Sequence, residues 1–177
     1  MNDRRFTSST SLAWYATIVL TATYTFSFID RQIVNLLVEP IKADLLLSDT
    51  QISFLQGLAF VVPYLILSIP VGRLVDTVSR VKVLIGGIIL WSVACVFCGL
   101  SKTMTQLAIG RMGVGAGEAS VTPAAWSLLA DYFPEEKRGL PVSLFLMGPY
   151  LGAGLSLIKG AEVISWADAV KLPIVGD

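Results

Sequence analysis

The chain has 177 residues, 54% of them hydrophobic and only 15% charged, with thirteen basic and thirteen acidic side chains and no histidine. Counting the 15 glycines takes the apolar share to about 62%, whereas a soluble domain sits near 45–50%. Too few charges remain to coat a water-facing surface, zero net charge offers no hold on nucleic acid, and the commonest metal ligand and near-neutral acid–base group is missing.

A hydrocarbon layer about 30 Å thick is crossed by about 20 apolar residues rising 1.5 Å each. Five stretches meet that length, so the expected fold class is all-α membrane. The first runs from Ser11 to Leu37, behind Arg4 and Arg5. Its apolar run, Leu12–Ile29, is longer than the roughly 7–15 residues of a signal-peptide core and no small-residue cleavage site follows, so it reads as a retained helix. The second span is Ile52–Leu74, the third Val83–Leu100, the fourth Thr105–Phe133 and the fifth Leu140–Ala161. Residues 162–177 form a tail of mixed polarity after this five-helix unit, 1–161.

Lys and Arg outside the spans set the orientation. One side holds Arg4, Arg5, Arg73, Arg80, Lys82, Lys137 and Arg138, and the other Lys42, Lys102, Lys159 and Lys171. Seven against four predicts a cytoplasmic N-terminus and an extracytoplasmic tail, in a multi-pass protein of the cell (inner) membrane.

Pro63 and Pro70 lie in the second span, Pro123 in the fourth and Pro149 in the fifth, each removing a backbone donor and favouring a kink. Gly113-x-x-x-Gly117 and Gly148-x-x-x-Gly152 each give a helix one smooth stripe for close approach. Cys95-x-x-Cys98 lies inside an apolar run, where nothing would stabilise a thiolate, so it reads as packing rather than redox chemistry.

Four ionisable side chains fall within spans: Asp30 and Arg31 in the first, Arg111 and Glu118 in the fourth. Each costs roughly 2.5–3.5 kcal/mol near the bilayer centre if left alone. Arg111 and Glu118 are seven residues apart, within about 20° of two full turns, so they share one helix face, which Thr122 continues. Tyr24, Ser27, Arg31 and Asn35 recur at three- or four-residue spacing and form one polar face, flanked by Asp30. Such faces must turn to a partner or a wet cavity. Buried salt bridges that merely fix packing are one reading, but apolar residues do that job at lower cost. The other reading is a polar central cavity, in which Arg31 and Arg111 hold an anionic group while Asp30 and Glu118 exchange a proton. No phosphate loop, metal cluster or nucleophile–base pair is present, so neither enzyme activity, metal nor cofactor is expected.

The segment Gly72-Arg-Leu74-Val-Asp76-Thr-Val-Ser-Arg80 between the second and third spans resembles motif A of the major facilitator superfamily, G-x-L-x-D-(R/K)-x-G-R-(R/K). Thr77, Ser79 and Val81 depart from that pattern, and Lys82 supplies a basic residue one place late. Arg111-x-x-x-Gly115-x-Gly117 resembles the family's helix-4 pattern, and Asp131-Tyr-Phe-Pro134-x-x-x-Arg138-Gly139 its helix 4–5 loop. Gly148-Pro149-x-x-Gly152 is similar to the core of its antiporter motif, with Ala153 in place of the final glycine. Asp30-Arg31-Gln32, Leu55-Gln56-Gly57, Trp91-Ser92 and Gly117-Glu118-Ala119 together resemble the bacterial spinster-like branch.

The resemblance implies the first five helices of a six-helix N-terminal half, with a partner half and seven further spans needed for transport between two rocking bodies. It implies proton-coupled movement of an amphipathic or anionic organic solute, a lysolipid or sphingolipid in the spinster branch. The cavity group would be Tyr24, Asp30, Arg31, Asn35, Arg111, Glu118 and Thr122. The cytoplasmic gate would be Gly72, Asp76 and Arg80, with Asp131 and Arg138 in the helix 4–5 loop. An organic-anion:cation symporter of the same superfamily, which shares the Asp-Arg and Gly-Glu-Ala elements, is the alternative, as is a membrane-embedded remnant that transports nothing.

Overall fold

The structure, a computed structural model, describes residues 10–170. Arg4, Arg5, Lys171 and the rest of the tail from 171 to 177 lie outside the described residues. The elements are all helical: α1 (Thr10–Leu36), α2 (Val38–Asp44), α3 (Asp49–Gln56), α4 (Leu58–Thr77), α5 (Arg80–Gly99), α6 (Met104–Glu118), α7 (Val121–Tyr132) and α8 (Gly139–Val170), with a 3-10 turn at Glu135–Lys137 before α8. They make five antiparallel traverses, α1, α3–α4, α5, α6–α7 and α8.

Four traverses contain helices long and apolar enough to cross a membrane. The expected fourth span, Thr105–Phe133, is instead broken at Ala119–Ser120 into α6 and α7, neither of which is long enough alone. Pro123 supplies the cause: it has no N–H for the Ala119 carbonyl four residues back, and its ring crowds that carbonyl. The same logic ends α1. Pro40 leaves the Leu36 carbonyl without its donor, and α2 starts afresh at Val38. α3 begins before the predicted second span, because Ser48 and Gln51 form a reciprocal capping box. α8 continues beyond the predicted end at Ala161, where nothing up to Val170 breaks a helix and Lys159 pairs with Glu162 at 2.7 Å.

α1 packs along α8, while α6 lies between α4 and α5. Both contacts depend on the glycine stripes seen in the sequence. A Cβ on Gly152 would stand 2.5 Å from the Thr25 carbonyl oxygen of α1, and one on Gly117 2.6 Å from the Gly87 carbonyl oxygen of α5. Thr17, Thr21 and Thr25 turn their hydroxyls to the carbonyls of Ala13, Thr17 and Thr21, so these buried groups on α1 are satisfied within the helix. Leu20, Val75, Leu129 and Phe145 form the core that α1, α4, α7 and α8 share. On the outside, Ile66, Ile69, Ile89, Val93, Val96 and Ile158 are exposed. Charge inside and aliphatic surface outside is the arrangement a bilayer favours.

Candidate functional site

α1 and α6 carry the four intramembrane charges, and the structure divides them into two adjoining groups. In the first, Glu118 Oε2 accepts hydrogen bonds from Ser27 Oγ at 2.6 Å and from Arg31 Nε at 2.8 Å, and forms an ion pair with Arg31 Nη2 at 2.5 Å. The Glu118 side chain is fully buried, while 25% of that of Arg31 is exposed. Arg31 therefore forms the open side of the pair and seals Glu118 behind it. Glu118 is the last residue of α6, at the discontinuity that Pro123 creates. Tyr24 lies close by, with its ring stacked on Phe145 at 4.7 Å and its hydroxyl beside Thr122.

In the second group, Asp30 turns away from Arg31, as the 100° per residue of a helix requires. Its Oδ2 accepts from Trp91 Nε1 at 2.6 Å and from the Cys95 thiol at 3.6 Å, both on α5. Asp30 and Arg111 line one cleft of about 210 Å³ between α1, α2, α5 and α6, whose wall includes Cys95, Cys98 and Val114. Arg111 is 4% exposed, and its guanidinium carbon sits 5.1 Å from the Phe60 ring centroid. Among the described residues, two buried polar atoms of these groups, Arg111 Nε and Glu118 Oε1, have no hydrogen-bond partner.

Most of the predicted cavity set therefore gathers between α1 and α6, which the Ser27, Arg31 and Glu118 side chains bridge, with two differences. Arg111 and Glu118 share a face and are both buried, yet each looks to another helix rather than to the other. Asn35 is exposed and leaves the group, bonding Gln32 at 2.8 Å and Gln56 of α3 at 2.9 Å. It lies one turn beyond Arg31, near the end of α1, where the polar start of the second traverse comes within reach.

At the loop end, Arg80 pairs with Asp131, tying the start of α5 to the end of α7. Arg138 donates to the carbonyls of Ala130 and Phe133, both at 2.7 Å, and so caps the last turn of α7. Gly72 has open space about it, and Asp76 is exposed at the end of α4.

Five residues at the site carry no signal of their role in the sequence: Trp91 and Cys95 as donors to Asp30, and Phe28, Phe60 and Tyr64 as the rings around Arg31. Phe60 and Tyr64 lie four residues apart on α4, a spacing that aligns them on one face, but aromatic pairs in an apolar span are mostly packing.

A bundle of antiparallel apolar helices with a charged centre and an aliphatic exterior is that of a multi-pass membrane protein. The sequence profile of the Major Facilitator Superfamily matches residues 20–169, and the chain belongs to that family, whose members are transporters and not enzymes. It is 35% identical over 160 residues to an MFS-type efflux pump of Mycolicibacterium smegmatis, an alignment covering 89% of this chain and 37% of the pump. It is 26% identical over 168 residues to Protein spinster of Drosophila melanogaster, covering 92% of this chain and 28% of that one. Among solved structures it superimposes with a TM-score of 0.83 and 31% identity on a bacterial homologue of the human lysosomal transporter spinster in an inward-facing, unoccupied conformation. That match covers 93% of this chain and 36% of the homologue. The chain thus spans between 28% and 37% of the length of these relatives.

Proposed function

We propose that this chain is the N-terminal part of a spinster-like secondary transporter that couples proton movement to an amphipathic or anionic organic solute. The observation that carries the reading is Glu118, fully buried and bonded only through Oε2 to Ser27 and Arg31 among the described residues. A carboxylate held this way in a low-dielectric interior is expensive to keep charged unless its cation stays with it. An anionic solute that draws on Arg31 weakens that hold and favours a proton on Glu118, and release of the solute reverses the exchange. Asp30 and Arg111, opposite charges that line one cleft, would be a second proton and anion station.

Gly72 and Asp76 on α4 and Arg80 on α5 would form the cytoplasmic gate, which the Arg80–Asp131 pair ties to the helix 4–5 loop that holds Arg138. The excess of basic residues on that side supports a cytoplasmic N-terminus in the cell membrane. Residues 1–161 would be the five-helix unit and residues 162–177, of which 162–170 continue α8, the lead into a sixth helix. The partner half that family architecture demands would complete the cavity.

The test is transport by the complete protein in proteoliposomes, with a lysophospholipid and a small organic monocarboxylate as alternative solutes and an imposed pH gradient. Glu118→Gln should abolish proton-linked movement of whichever solute the wild type carries. Unchanged coupling in that variant would remove Glu118 from the mechanism. A carboxylate carried in preference to the lysophospholipid would replace the spinster-like assignment with an organic-anion symporter.

A further inference from the structure

Arg31 is surrounded by more than its carboxylate. Its guanidinium carbon stands 4.8 Å from the ring centroid of Phe28, 4.6 Å from that of Phe60 and 5.4 Å from that of Tyr64. All three lie within the roughly 6 Å over which an aromatic face attracts a cation. Phe28 comes from α1 itself, while Phe60 and Tyr64 lie one turn apart on α4 with their rings stacked at 5.8 Å. Phe60 is buried and also meets Arg111, so one ring serves a guanidinium from each of two helices. Gly115 makes this possible: a Cβ there would stand 2.4 Å from the Phe60 carbonyl oxygen, so only glycine lets α6 come this close to α4.

We propose that Phe28, Phe60 and Tyr64 form a cradle that holds the Arg31 guanidinium in place whether or not Glu118 is charged, with Phe60 the positioning residue that Arg31 and Arg111 share. An ion pair disappears when its carboxylate is neutralised, but the quadrupole of a ring does not titrate. Arg31 then stays put as a fixed cation after Glu118 has taken a proton, which is the moment an anionic solute needs it. Other ionisable groups face this position: Arg111 on α6, Tyr64 on α4 and Tyr24 on α1, whereas Asp30 is turned towards α5. Among the described residues, Glu118 alone forms an ion pair with Arg31.

The use of the fixed cation rests on the transport reading above, whereas the confinement of Arg31 can be read without any transport. The chain in lipid nanodiscs is treated with phenylglyoxal, and adducts at Arg31 are counted by mass spectrometry against those at exposed Arg73 as an internal reference. Glu118→Gln alone should raise the Arg31-to-Arg73 ratio less than about twofold, because the rings keep their hold. Adding Phe60→Leu should raise it about fivefold, and Phe60→Tyr in its place should bring it back to the level of Glu118→Gln alone. Circular dichroism checks that each variant keeps its helices, and Tyr64→Leu stands in for Phe60→Leu if the latter does not. Glu118→Gln freeing Arg31 as fully as the double variant would overturn the cradle, and so would a tyrosine that fails to restore it. A protein in which Arg31 binds no solute would leave these ratios as they are, so the two proposals fail separately.

Discussion

Replacing Arg31 with methionine should destabilise the bundle far more than replacing Glu118 with glutamine, although both substitutions break the same ion pair. Deleting one partner of a buried pair costs roughly 3–5 kcal/mol, because the other charge is left behind. In Arg31→Met the stranded group is Glu118, whose side chain is 0% exposed and which keeps only Ser27 as a donor. The quarter of Arg31 that is open weakens the original pair, so the lower figure, about 3 kcal/mol, applies. In Glu118→Gln the stranded group is Arg31, which still has its open side and three aromatic faces, and about 1 kcal/mol is expected. At roughly 2–4 °C per kcal/mol for a chain of this size, the melting temperature should fall about 6–12 °C in the first case and about 2–4 °C in the second. The double variant Arg31→Met, Glu118→Leu should recover most of the loss, since no charge is stranded. Thermal melts in a mild detergent, followed by far-ultraviolet circular dichroism, read all three. Equal losses in the two single variants, or a double variant as unstable as Arg31→Met, would mean that a stranded Glu118 charge does not set the cost.

Two further outcomes follow from backbone geometry. Gly152→Val should cost about 1–3 kcal/mol by forcing α8 off α1, whereas Gly154→Ala, with nothing within 4 Å, should be neutral or slightly stabilising in the same melts. Leu46, just past the Leu45 cap of α2, has φ +51° and an exposed side chain, while the Leu47 N–H bonds the Lys42 carbonyl at 3.0 Å, an arrangement that normally uses glycine. Leu46→Gly should therefore gain about 0.5–1 kcal/mol and raise the melting temperature by a few degrees.

The five traverses were legible because membrane thickness fixes how long an apolar run must be. The glycine stripes were legible because only glycine permits the approaches seen at Gly117 and Gly152. The break at Ala119–Ser120 was foreshadowed only as a kink at Pro123, since whether a proline bends or splits a helix depends on what packs around it. Helical spacing nominated Arg31, Arg111 and Glu118 one by one, but it could not say which would pair. Arg31 and Glu118 are 87 residues apart and meet because of how α1 and α6 are placed. Asn35 carried the right spacing and still left the group, because the polar face of α1 continues past the depth at which the charges gather. The aromatic rings about Arg31 gave no signal of their own: a phenylalanine in an apolar span looks the same whether it faces lipid or a cation.

In the transport reading, the charged groups that bridge α1 and α6 are reached by water while the neighbouring aliphatic surface is not. Tyr64 and Ile66 on α4 make a direct test, being two residues apart with Tyr64 against Arg31 and Ile66 exposed on the outside. With Cys95 and Cys98 replaced by alanine, Tyr64→Cys and Ile66→Cys are each exposed in lipid nanodiscs to a charged, membrane-impermeant methanethiosulfonate. Labelling is expected at position 64 and little at position 66. Labelling at 66 with none at 64 would put lipid where water is expected, and would contradict the transport reading.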